Sequence, residues 1–143
     1  MKSCFLIGNS NTPQHVFEKL CQQIEKLIVE EQVESFLVGH YGSFDQLAIG
    51  ALRDMKKKYP HIVLFLLLPY HPSERIVETP ADFNGTYYPE GMETVPKPVC
   101  IVRANRKAVD TSDYLICYVH NKTGNSYKIF QYAIRTGKKV IEL

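Results

Sequence analysis

Residues 36–60, FLVGHYGSFDQLAIGALRDMKKKYP, decide the fold class. Phe36, Leu37 and Val38 form an apolar run too short and too rich in β-formers to open a helix. Gly39-His40-Tyr41-Gly42 then makes a turn in which two glycines let the backbone approach a neighbour closely. Ser43 and Gln46 stand three apart, the spacing of a capping box. Behind them Phe44, Leu47, Ala48, Ala51, Leu52 and Met55 recur at helical spacing, and Lys56-Lys57-Lys58 complements the negative end of the helix dipole. The stretch therefore reads as strand, glycine turn, helix. Such a turn presents unpaired N–H groups and partial positive charge to a phosphate or carboxylate. The plainer reading is that the glycines only shape the turn, Ser43 only caps, and Asp45 only favours the first helical turn.

The same alternation extends in both directions. Residues 3–7 read as a first strand ending at Gly8-Asn9-Ser10-Asn11, and Thr12-Pro13 reads as a cap followed by a helix start. Val16, Leu20, Ile24, Leu27 and Ile28 give that helix one apolar face. Residues 62–68 are apolar throughout, as in a parallel strand covered on both faces. Helical spacing resumes over 99–109, a strand follows at 114–119, a helix at 126–135 closed by Gly137, and a last strand at 140–143. Between them, residues 69–98 carry six prolines and no clear period, which predicts a long loop acting as a lid or an oligomer arm. The pattern predicts one α/β Rossmann-like domain over 1–143, with five parallel strands in the order 3-2-1-4-5 flanked by helices.

At 143 residues, 45% apolar and 22% charged, the composition is that of an ordinary globular domain. The formal charge of +2 argues against nucleic acid as a partner and against an anionic membrane surface. No apolar run is long enough to span a bilayer, and the first residues read as a strand and not as a signal peptide. Four cysteines without C-x-x-C or metal-ligand spacing read as free thiols in a cytoplasmic chain, and the scattered histidines imply no metal site.

In a doubly wound sheet the loops after the strands gather at one edge, where the strand order reverses. That brings together Gly8, Asn9 and Ser10; Gly39, Tyr41, Gly42 and Ser43; Tyr70; and Thr123, Gly124 and Asn125. His40 is a candidate acid or base, and Asp45 a candidate carboxylate whose place at a helix start should lower its pKa. Arg103 and Arg106 are candidate phosphate ligands, although a solvated basic face is the commoner outcome for such a pair. Tyr70, Tyr87, Tyr88 and Tyr118 are candidate stacking surfaces.

The first-strand ending IGNS, the turn GHYGSFDQLA, the strand VLFLLLPY, the run RANRKAVDTSDYLICYV and the ending TGNSYKIFQYAIRTGKKVIEL resemble the SLOG superfamily. This is the Rossmann-like group with DprA-like and LOG-like members, and the resemblance points to its small bacterial YspA- and YoqJ-like branch. It implies a pocket for a nucleotide or nucleotide-derived ligand and a tendency to form homo-oligomers; separately, no cofactor is expected. It also implies a comparison with the phosphoribohydrolases, whose signature P-G-G-x-G-T-x-x-E occupies the fourth-strand loop and the following helix. Here that region reads NKTGNSYKIFQYA: Gly124 matches, but Tyr127, Lys128 and Ile129 stand where a carboxylate is expected. N-glycosidic cleavage passes through an oxocarbenium-like transition state that a positioned carboxylate stabilises. The expectation is thus a nucleotide-binding or sensing protein. The alternatives are an N-glycosidase or glycosyltransferase on a nucleoside monophosphate, using Asp45 and His40, and third, a single-stranded nucleic-acid binder.

Overall fold

The computed structural model describes Met1–Leu143. Its elements run β1 (Lys2–Gly8), α1 (Val16–Glu30), β2 (Val33–Val38), α2 (Gly42–Lys58), β3 (Val63–Leu67), β4 (Gly85–Tyr87), α3 (Cys100–Thr111), β5 (Tyr114–Tyr118), α4 (Asn125–Arg135) and β6 (Lys139–Glu142). All six strands lie parallel in the order β4-β3-β2-β1-β5-β6. The strands foreseen from the sequence keep their expected order, and β4 is an addition at the edge.

The sheet is covered on both faces because β3 and β5 are apolar at every position and β1 carries the unbroken apolar run Cys4–Ile7. Along β1, Cys4 and Leu6 point into the layer with α1 and α2, while Phe5 and Ile7 point into the layer with α3 and α4. In β5, Tyr114, Ile116 and Tyr118 share the first layer, and Leu115 and Cys117 share the second. This two-residue alternation is what a strand buried on both sides requires. Burial pushes the Cys117 thiol up to about 12 and raises the Cys4 thiol as well, so both are inert core groups.

Three local expectations are corrected. First, residues 69–98 are a long connection with structure of its own: they hold β4, two 3-10 turns at Met92–Thr94 and Lys97–Val99, and the buried Met92. Asn84 ties this segment down by accepting the Leu64 N–H at 2.9 Å and the Lys56 ammonium at 2.5 Å. Tyr87 lies in β4, and both it and Tyr88 pack half-buried against the core. Second, Thr12 does not cap α1, which begins at Val16. Its hydroxyl donates to Asn9 O at 2.7 Å, so it braces the end of β1 instead. Third, Ser43 does not cap α2. Its N–H and hydroxyl both bond Ser10 O, at 3.0 and 2.9 Å, and its Oγ accepts the Thr12 N–H at 2.5 Å. These contacts fasten the β1 loop to the start of α2.

Candidate ligand cleft at the carboxyl edge of the sheet

A cleft of about 490 Å³ opens where the strand order reverses between β1 and β5. Its floor is formed by the carboxyl end of β1, and its walls by the loops after β1, β2, β3 and β5 together with α3 and the start of α4. This is the crevice at which doubly wound sheets bind ligands. Asn9 spans the reversal, donating its N–H to Tyr118 O at 3.0 Å and accepting the His120 N–H on Oδ1 at 2.6 Å. Ser126 closes the opposite side, its hydroxyl donating to Gly8 O at 2.8 Å.

The lining mixes apolar side chains with neutral polar ones and is almost uncharged. Asn9, Asn11, Asn105, Asn121 and Asn125 face the space, with Ser10, Ser126 and His120, and no lysine or arginine is among them. α4 begins at Asn125 with no side-chain cap, so its first N–H groups are offered to the cleft. Asp45 is the cleft's carboxyl group. It is 8% exposed, and its Oδ2 accepts the Tyr41 N–H at 2.8 Å. The expectation of a lowered pKa is corrected here: burial raises it to about 7, and the Tyr41 N–H only partly opposes that. Near neutral pH the group is therefore divided between acid and carboxylate.

Of the residues singled out in the sequence, Gly8, Asn9, Ser10, Gly39, Tyr41, Asp45, Gly124 and Asn125 line this one space. Gly42, Ser43, Thr123, Arg103 and Arg106 do not. Gly42 adopts φ of 81°, and a Cβ there would stand 2.7 Å from Ser10 Cα, so its glycine serves the turn. Thr123 bonds the Asn121 side chain through both N–H and hydroxyl. Arg103 and Arg106 lie on the exposed side of α3, Arg106 over the Tyr132 ring at 5.0 Å. The cleft side of α3 is instead Ile101, Ala104 and Asn105. That face was readable from the helical spacing of the small apolar residues Ala104 and Ala108.

His40 and Tyr70 open on a second, smaller pocket next door, and only Tyr41 and Pro69 line both spaces. Asp45 and His40 thus face different cavities and do not form an acid–base pair. Burial lowers the His40 pKa, with the Leu67 backbone opposing, so its ring is neutral at pH 7. Its Nδ1 is buried without a partner.

The fold and the cleft define a Rossmann-like α/β protein with an open cleft at the switch point of its sheet. No protein-family model matches the chain, and no curated protein matches it. Among solved structures it is similar to DNA processing protein A from Helicobacter pylori, in a structure concerned with that protein's single-stranded DNA binding mode. Identity is 16% and the TM-score 0.66, over 99% of this chain and 64% of the other. The chain thus spans less than two thirds of that protein's length, and the likeness is one of fold. It overturns the expectation that nucleic acid is an improbable partner, since a protein built on this fold binds single-stranded DNA. The physical flaw in that expectation is that net charge sums the whole surface, whereas binding responds to the field over one groove.

Proposed function

We propose that the protein binds a nucleotide or nucleotide-derived molecule in the cleft, as a sensor or binding protein, and that it belongs to the small bacterial YspA- and YoqJ-like branch of the SLOG superfamily. The observation that carries the binding reading is the meeting, around one space, of an uncapped helix N-terminus, a set of asparagine side chains and the buried Asp45 carboxyl. Helix N–H groups suit a phosphate without a cationic clamp. Amide side chains suit the mixed donors and acceptors of a base and sugar. Asp45 suits a hydroxyl or a base N–H.

Gly124→Leu tests this reading. Gly124 has φ of −87°, and a Cβ there would meet nothing nearer than 3.9 Å, so the longer side chain enters open space at the cleft. Calorimetric affinity for nucleoside monophosphates is expected to fall at least about tenfold, equal to ~1.4 kcal/mol. Stability falls by only about 1 kcal/mol, from the poorer N-cap residue. Unchanged affinity would place the ligand elsewhere.

The raised pKa of Asp45 favours a second reading, turnover with Asp45 as general acid toward the leaving base. Against it, the first turn of α4 carries no acidic residue to stabilise an oxocarbenium ion. Wild-type protein at concentrations approaching those of substrate is expected to release no free base from any nucleoside monophosphate. Release that disappears in Asp45→Asn would establish the enzymatic reading instead.

A further inference from the structure

Beside the cleft, the smaller pocket of about 230 Å³ has chemistry that the cleft lacks. Its volume is less than half that of the cleft. The Arg75 guanidinium carbon lies 3.8 Å from the Tyr70 ring centroid, and the His40 ring lies 4.3 Å from that of Tyr41. Two apolar groups on its rim are left open to water: Tyr41 is 41% exposed and Ile76 is 94% exposed. His40 Nδ1 is buried there without a partner.

The turn that carries Arg75 is held by hydrogen bonds. Glu74 and Arg75 donate their N–H groups to His71 O at 2.9 and 3.1 Å, forming the turn that presents Arg75. Glu74 pairs with Lys97, and the Tyr70 hydroxyl donates to Lys97 O at 3.4 Å, which ties the turn to the segment before α3. Tyr41 and Pro69 line both cavities, so the two spaces adjoin.

We infer that this pocket, walled by Tyr41, Tyr70, Arg75 and His40, is a stacking subsite for a second nucleobase, so that the preferred ligand carries two nucleosides joined through phosphate. The inference rests on the cleft holding the first nucleotide. Aromatic rings and an arginine offer faces on which any base stacks. Arg75 supplies, in the adjoining pocket, the positive charge that the cleft lining lacks. The His40 Nδ1 finds its missing partner on a base edge or a sugar hydroxyl. Stacking would also cover Tyr41 and Ile76.

Calorimetry with deoxyadenosine monophosphate, the 5′-phosphorylated deoxyadenylate dinucleotide, diadenosine pyrophosphate and a longer deoxyadenylate strand tests this. The dinucleotide is expected to bind about tenfold or more tightly than the monophosphate, the gain of one stacked base. Arg75→Ala and Tyr70→Ala should each remove most of that gain and leave monophosphate affinity unchanged, while Tyr70→Phe, which keeps the ring, should retain it. Preference for the pyrophosphate-linked compound identifies a small dinucleotide ligand, and further tightening with the longer strand identifies single-stranded nucleic acid; both support the subsite. A dinucleotide no tighter than the monophosphate, or a gain indifferent to Arg75→Ala and Tyr70→Ala, overturns it while leaving the cleft reading intact. Absence of binding by all four compounds overturns both.

Discussion

Gly8→Ala is expected to destabilise the protein by about 3 kcal/mol, at the upper end for overpacking a core. A Cβ at Gly8 would lie 2.3 Å from Phe44 Cγ, 2.4 Å from its Cδ1 and 2.9 Å from its Cβ. Phe44 is fully buried in the first turn of α2, so a ring rotation cannot relieve a clash that also involves its Cβ. The start of α2 must move away from β1, and the Ser43 bonds to the β1 loop stretch with it. For a chain of this length the midpoint should drop by about 10 °C. Denaturation in urea with an unchanged slope would show that folded-state stability, and not denatured-state compactness, has changed. Phe44→Leu in the same chain makes room, so the double variant should be more stable than the sum of the two single losses implies. Strict additivity, or an unaltered midpoint for Gly8→Ala alone, would mean that α2 does not rest on Gly8. Gly8 therefore lets the helix approach closely enough to bring Asp45 to the cleft, a structural duty beside any contact with ligand.

The parts of the fold that were legible in the sequence are those fixed by local periodicity. Continuous apolar runs at β1, β3 and β5, and helical spacing in α1 and α2, have no other soluble solution than a covered parallel sheet. β4 was not legible because it is three residues, Gly85–Tyr87, with no apolar repeat. It exists because Asn84 bridges to Leu64 N–H and Lys56, contacts 20 and 28 residues away in sequence. The same cause displaced two helix starts. Thr12-Pro13 and Ser43 carry local capping signals, yet their hydroxyls form stronger commitments across the chain, to Asn9 O and Ser10 O.

At the site, topology alone gathered Gly8, Asn9, Gly39, Tyr41, Gly124 and Asn125, because residues at strand ends share an edge whatever their side chains do. Facing was harder. Arginines on α3 suggested phosphate contacts, but a helix presents only one side to the cleft, and Asn105 occupies it. Asn11, Asn121, His120 and Ser126 were missed as lining residues because each depends on how its loop folds back. Depth was not legible at all. A carboxylate at a helix start is stabilised when it is wet, whereas Asp45 is buried by the loop of Gly39 and Tyr41 closing over it.

That depth gives Asp45 the largest effect expected of any single group. Its pKa rises from an ordinary 3.8 to about 7 on folding. Between those two values the unfolded chain has released the proton and the folded protein still holds it, so stability falls as pH rises through that window. Below pH 4 both states are protonated and the contribution is fully present; above pH 7 it is lost. A change of this size corresponds to on the order of 4 kcal/mol. Asp45→Asn removes the titration and keeps an oxygen to accept the Tyr41 N–H. The variant should match wild type at pH 4 and exceed it at pH 8, with the difference growing from about pH 4 to 7. The exposed carboxylates titrate alike in both proteins, so they cancel when the two urea series are subtracted. Glu25, whose pKa the Lys58 and Tyr59 side chains lower, is one such group and acts in the opposite direction, losing its contribution as pH falls. A flat difference across the series would show that Asp45 ionises freely and is not buried at the cleft. The same ionisation reaches the ligand: a carboxylate formed above pH 7 repels a phosphate sharing the cleft. Nucleotide affinity should then weaken above neutrality in wild type and stay level in Asp45→Asn.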